Sequence, residues 1–430
     1  MPDRRIAVLA DSDTRWKWGA SVARQIAPGH ALDAWFLHGR STPTERQLAE
    51  VGIEPDTRRL VSAAELVDDP DLAEADVVVL ALLGGTVLAL THSLGSVWEG
   101  REHRPVTVSG YVGVVYEKMV DGLMTRAGTD LVLANSAYDA CRFRSVFENV
   151  GIDPESVVEC ALPFLGGDPY RPSRDRPFTV TFAVQPSVPK ERGGRLKLLE
   201  RAAGHARRHP ERQVLIKLRS LPGEQTTHVE SDPYQLLITD LTEPPPPNLR
   251  LVYGNMGEVL DRTDLLVTVS STAALESMHR RIPTAILTDM GVREAHGNHY
   301  FVRSGCLASW DDIDAGALPQ PDPAWAAAQG IGKDDPYAAA RTRITALRAA
   351  GPLPPLRPYY SPRTAEIYLT SILRANGFDE KGRPLLVPLG AGGPGRARKA
   401  VRRVAGRSAR KLYRMGHQRV APALRRWGAG

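Results

Sequence analysis

Short, unbroken apolar runs recur along this chain, and nearly every one ends at a polar or glycine-containing loop that opens a helical stretch. A strand reads this way when it is buried on both faces, as in a parallel sheet covered by helices. Residues 5–10 (RIAVLA) stop at Asp11-Ser12-Asp13, and a helical pattern over 16–26 is closed by Pro28-Gly29. Residues 31–37 form the next strand, and 44–51 a short helix ending at Gly52. The run 76–83 (DVVVLALL) is followed by Gly84-Gly85-Thr86, read as a tight turn or a close backbone approach. Strands at 106–109 and 131–134 and a helix over 138–149 complete the first series.

Residues 163–177 hold four prolines and two glycines and read as a linker. A second series then begins, with strands at 178–184, 213–218, 249–253, 265–269 and 284–287, and helices at 194–208, 256–261 and 272–281. Pro244 to Pro247 is a stiff surface spacer. Strands alternating with helices imply an α/β fold. Two such series imply two Rossmann-like doubly wound domains facing a cleft, with ligands at the carboxyl ends of the strands. The expected division is 1–170, 177–330, a helical segment 331–380 crossing back to the first domain, and a tail 381–430. A chain of 430 residues fits two domains of roughly 150–200 residues, and 42% hydrophobic residues suffice for two cores.

The formal charge of +6 conceals an asymmetry. Residues 381–430 carry 14 Lys and Arg and no acid, so the first 380 residues carry 6 − 14, or −8. That argues against a nucleic-acid-binding body. In the tail, Val401, Val404, Ala405, Ser408, Leu412 and Met415 share one helical face amid basic residues, and Trp427 follows. A basic amphipathic helix suits an anionic membrane surface, so residues 396–427 are expected to bind one; a disordered basic tail is the alternative. The first apolar run is too short for a signal peptide and no run approaches a bilayer span. Cys141, Cys160 and Cys306 are scattered, which speaks against disulfides or a zinc site. A cytoplasmic protein, peripheral at the inner membrane face, is the expectation.

The sharpest local signal is residues 265–287, LLVTVSSTAALESMHRRIPTAIL. A buried strand runs into Ser270-Ser271-Thr272 and a helix starts at once. Free N–H groups and the positive helix end then suit a phosphate. Glu276, one turn on, is placed for ribose hydroxyls. An ordinary Ser/Thr cap is the plainer reading. The loop 11–18 (DSDTRWKW) follows the first strand. Asp11 or Asp13 would serve as a general base, Trp16 and Trp18 would stack on a sugar, and Arg15 or Lys17 would bind an anionic acceptor. Helix capping by the acids and core packing of the tryptophans are the alternatives. Gln185 with Lys190, His228 within 223–228, and Gly84-Gly85 are weaker candidates. His92, His103 and His296 lack metal-ligand spacing, and Asp11-Ser12-Asp13 matches a metal-binding DxD only in its letters.

The segment SSTAALESMHRRIPTAIL resembles the donor-phosphate segment of bacterial GT-B glycosyltransferases, above all the capsule, polysialyl and glycerophosphate-type transferases. Residues 130–143 (DLVLANSAYDACRF) are similar to the last strand–helix unit of GT-B acceptor domains. The first loop resembles that of a group of actinobacterial glycosyltransferases. Where many members carry IKPHP, this chain has Ile216-Lys217-Leu218-Arg219, so Lys217 or Arg219 takes the phosphate contact that the resemblance implies. It further implies a nucleotide-sugar donor in the second domain, a cell-envelope glycan or lipid-linked acceptor at the first, and neither metal nor cofactor. A nucleotide-sugar 2-epimerase and a non-catalytic nucleotide-sugar-binding protein are the other readings.

Overall fold

The computed structural model describes residues 4–39, 41–114, 119–186, 188–221, 224, 230 and 232–385. The tail from 386 onward, His228, and residues 223 and 225–227 lie outside the described residues.

Seven strands build the first sheet: β1 (Arg5–Ala10), β2 (Ala31–Leu37), β3 (Thr57–Val61), β4 (Val77–Ala81), β5 (Val106–Gly110), β6 (Leu131–Ala134) and β7 (Val157–Glu159). Their order is β3-β2-β1-β4-β5-β6-β7, and every pairing is parallel. Six strands build the second: β8 (Thr179–Ala183), β9 (Gln213–Lys217), β10 (Leu249–Val252), β11 (Leu265–Thr268), β12 (Thr284–Leu287) and β13 (Leu307–Ala308). Their order, β10-β9-β8-β11-β12-β13, is also parallel throughout. Both sheets reverse winding direction beside their first strand, between β1 and β4 and between β8 and β11. Such switch points open a crevice at the carboxyl ends.

The central strands are buried along nearly their whole length, which accounts for their continuous apolar runs. The sequence reading passed over β3, β7 and β13. The edge strand β3 (TRRLV) alternates exposure, with Arg59 stacked over Trp35 at 4.6 Å, and the other two span only three and two residues. Gly84 and Gly85 make a close approach to Thr125, Arg126 and Ile372 rather than a tight turn, and they open the helix Gly84–Val97. Paired glycines oppose helix formation locally, so packing against the sheet decides this one: Val87, Leu88, Ala89, Leu90 and Leu94 are buried.

After β13 the chain returns to the first domain. Tyr337, Ala340 and Ile344 join the core on one face of the first sheet, and Leu356, Leu369, Leu373 and Phe378 join the core on the other. The Tyr337 hydroxyl donates to the Ala161 carbonyl at 2.7 Å. No helix among the described residues is long and apolar enough to cross a membrane.

Candidate active-site cleft

The carboxyl ends of the two sheets meet. On the second sheet, the switch point lies between Gln185, just past β8, and Ser270, just past β11. The Gln185 Oε1 accepts from the Ser270 N–H at 2.9 Å, and its Nε2 donates to the Ser270 Oγ at 3.2 Å. That hydroxyl in turn donates to the His296 carbonyl at 2.6 Å. Ser270 is buried. Its hydroxyl and N–H are therefore spent on the loop, which corrects the expectation that Ser270 contacts the donor phosphate. Gln185 acts on the loop too, and holds it in place. The Ser271 Oγ accepts from the Ala273 N–H at 3.2 Å, so the ordinary capping role falls to this serine. Thr272 has helical backbone angles and makes no capping bond. Its hydroxyl makes no hydrogen bond among the described residues, and its methyl group stands against Gly113 of the first domain.

Lys217 closes β9. It is buried, and its ammonium donates to the Leu218 carbonyl at 2.6 Å. No carboxylate among the described residues lies within ion-pair distance. Burial pushes the ammonium down to about 8, with Glu50 opposing the shift and Lys17, Arg219 and Arg46 adding to it. Arg219, two residues on, donates to Asp13 across the cleft at 3.1 and 3.3 Å and also contacts the Thr14 hydroxyl. Glu276 is buried and faces Lys17 of the first domain at 3.5 Å. Burial raises its carboxyl above the usual range, while Lys17, Arg280 and Lys217 pull it back. The Lys17 ammonium also sits 4.5 Å over the Phe164 ring. The fold thus brings residues far apart in the sequence, Asp13 with Arg219 and Lys17 with Glu276, into direct contact.

Other candidates fall elsewhere. Trp16 and Trp18 are 1% and 0% exposed, so neither stacks on a sugar. Trp16 packs edge-on to Phe36 at 5.3 Å, and the Trp18 ring lies so close to Gly110 that an added Cβ would meet it at 2.7 Å. Their place on the helix Asp13–Ile26 turns both toward the core rather than toward the cleft. Ser12 supplies the helix cap expected of the acids, its Oγ accepting from the Arg15 N–H. Asp11 accepts from Arg15 at 2.6 Å, and Arg15, 8% exposed, also donates to the Ser12 Oγ at 3.0 Å. Gly85 abuts Ile372 of the C-terminal helix Pro362–Ala375, and Gly84 abuts Thr125 and Arg126. Lys190 is exposed ahead of the helix Arg192–Arg208.

Several cleft residues escaped the sequence reading because nothing local marks them. Arg46 of the first domain donates to Glu224 at 2.6 Å and to Glu50 at 2.5 Å, and the Asn255 side chain donates to the Glu50 carbonyl at 2.9 Å. Buried Arg195 supports the floor, donating to the Gln185 and Pro186 carbonyls at 3.0 and 2.9 Å. Among the described residues, His205, His209 and Asp314 have ligand atoms within 4.8 Å of one another. They lie at the far end of the Arg192–Arg208 helix, away from the cleft, and Asp314 is already bound by His205 and Arg208.

Two doubly wound sheets meeting at their carboxyl ends, with the chain returning to the first, define a two-domain protein of the GT-B class. Residues 6–347 match the family described as "Putative glycosyltransferase (DUF6716)", and the chain belongs to that family. No curated protein matches it in sequence. Among solved structures it is similar to the UDP-GlcNAc 2-epimerase of Neisseria meningitidis bound to UDP-GlcNAc, at 9% identity and a TM-score of 0.46, over 80% of this chain and 98% of that one. It is similar to the spinosyn rhamnosyltransferase SpnG at 13% identity and a TM-score of 0.45, over 80% and 100%. The lipopolysaccharide outer core galactosyltransferase WaaB in its apo form gives 10% identity and a TM-score of 0.43, over 80% and 99%.

Proposed function

We propose that this protein transfers a sugar from a nucleotide-sugar donor, held by the second domain, to an acceptor hydroxyl held by the first. The observation that carries the reading is Lys217, a buried cation without a carboxylate partner among the described residues, at the carboxyl edge of the second sheet. A buried ammonium with no carboxylate at ion-pair distance is costly unless an anion completes it. The diphosphate of a nucleotide sugar supplies that anion, and Thr272 offers a hydroxyl beside it. Glu276 accepts from the ribose once Lys17 yields part of its hold.

Asp13 is an acid of the first domain that contacts the donor half directly, through Arg219. It takes the proton from the acceptor hydroxyl. The acceptor oxygen bonds to the anomeric carbon as the bond from that carbon to the phosphate oxygen breaks, and the nucleoside diphosphate leaves with the electron pair. Lys217 meets the charge that builds on the leaving group. Lys217 and Thr272 supply this stabilisation from the chain itself, so the proposal needs neither metal nor cofactor. The basic segment 396–427 would hold the enzyme at an anionic membrane, which suits a lipid-linked or envelope-glycan acceptor.

The test is transfer of label from radioactive nucleotide sugars into a bacterial membrane fraction. Incorporation that fails with Asp13→Asn supports the proposal. Isomerisation of the nucleotide sugar with no acceptor present would contradict it in favour of epimerisation. Loss of binding to anionic vesicles on truncation after residue 385 would support the membrane assignment, and retained binding would refute it.

A further inference from the structure

Beside the carboxyl ends of β4 and β5 the first sheet holds a buried cation that no acid among the described residues balances. Arg126 is 7% exposed. Its Nε donates to the Gly110 carbonyl at 2.8 Å and one terminal nitrogen donates to the Gly122 carbonyl at 2.9 Å. The guanidinium carbon lies 4.3 Å from the Tyr111 ring centroid. These contacts orient the group without neutralising it. Among the described residues, no carboxylate pairs with Arg126 and its second terminal nitrogen makes no hydrogen bond. The nearby cation Arg15 adds repulsion, and it is already engaged by Asp11.

A second source of positive potential adjoins it. The 14-residue helix Gly84–Val97 begins against the guanidinium, its cap Leu83 offers no side-chain bond, and no acid stands in its first turn. Among the described residues, the opening N–H groups are therefore without a side-chain acceptor. A Cβ at position 84 would press on the Thr125 hydroxyl and come within 3.2 Å of an Arg126 nitrogen. Glycine is what lets the guanidinium stand beside the helix start.

We infer that Arg126 and the first turn of the Gly84–Val97 helix hold an oxyanion, phosphoryl or carboxylate, carried by the acceptor substrate. That the oxyanion belongs to an acceptor rests on the transferase reading; the anion site itself does not. A buried guanidinium and bare helix N–H groups together select oxygen anions. The acceptor is accordingly an acidic molecule, not a neutral sugar.

The experiment is thermal melting with inorganic phosphate and with acetate, on the full chain and on Arg126→Met, Arg126→Lys and Lys217→Met. At a few times the dissociation constant, the anion should raise the melting temperature by roughly 2–4 °C. The rise should persist in Lys217→Met, shrink in Arg126→Lys and fall in Arg126→Met to the share that Lys217 holds, while Arg126→Met keeps its response to nucleoside diphosphates. Arg126→Lys carries the test if the methionine variant does not fold. A response to phosphate alone assigns a phosphorylated acceptor, and one to acetate alone an acceptor carboxylate. The inference falls if neither anion shifts the wild type, if Arg126→Met responds like the wild type, or if Lys217→Met alone loses the response. Anion binding through Arg126 with no nucleotide response in any protein would leave this site standing and remove the transferase reading.

Discussion

The two sheets are wound alike, yet their carboxyl edges leave different groups unpaired. On the second sheet, the serine nearest the switch point is consumed by Gln185 and His296, and what remains is Lys217 with the Thr272 hydroxyl. On the first, Asp11 is consumed by Arg15 and Asp13 is lent to Arg219, and what remains is Arg126 at a bare helix start. Among the described residues, Lys217 on one edge and Arg126 on the other are buried cations outside any ion pair. The residues that look most like ligands along the sequence mainly build the loops. On the proposed function, the cations without an ion-pair partner among the described residues are the groups left for a substrate.

The comparison can be broken most sharply at the first loop. Trp18→Ala should destabilise the protein by about 3–5 kcal/mol, the usual cost of removing a core tryptophan, and a denaturant melt measures it. A normal melt with weakened acceptor binding would return Trp18 to the cleft. Next in size is Lys217→Met, which should weaken nucleoside diphosphate binding by roughly 10–100-fold, the worth of a charged hydrogen bond; calorimetry reads it directly.

The titration of Lys217 sharpens the same point. Its pKa in the folded protein is about 8, below the ordinary lysine value. Protonated Lys217 is the form that binds an anion, so nucleotide affinity should fall as pH rises through about 8, and Lys217→Met should lose that dependence. For stability the sign is opposite. The unfolded chain binds the extra proton between about 8 and the ordinary value, so this group favours folding increasingly as pH rises across that window. The smallest effects separate neighbours in one loop. Ser270→Ala should cost about 1 kcal/mol of stability. Thr272→Ala should leave the melt unchanged and weaken nucleotide binding a few-fold. Interchanged results would mean that the two hydroxyls have been assigned the wrong way round.

Much of the fold was legible because strands buried on both faces print continuous apolar runs. The edge strand β3 was not, since its alternating TRRLV exposes Arg59 to stack on Trp35. The glycine-led helix at residue 84 was missed because its stability comes from packing, not from propensity. The site was legible only in part. Loops after strands point to a crevice, so Asp13, Lys17 and Glu276 could be named from the residues, and Lys217 and Arg219 from the resemblance to IKPHP. Which hydroxyls stay free, and which tryptophans face inward, depends on helix phase and partner groups. Arg126 lies in an unremarkable stretch, MTRAGTD, and only the sheet order brings it beside Gly84.

The most direct test of the central claim is a melting panel of UDP, GDP, CDP, CMP and TDP on the wild type beside Lys217→Met and Thr272→Ala. The account predicts stabilisation by one nucleotide class in the wild type, reduced by Thr272→Ala and abolished by Lys217→Met. No shift with any nucleotide near millimolar concentration, or an equal shift in all three proteins, would contradict a donor site at Lys217 and Thr272.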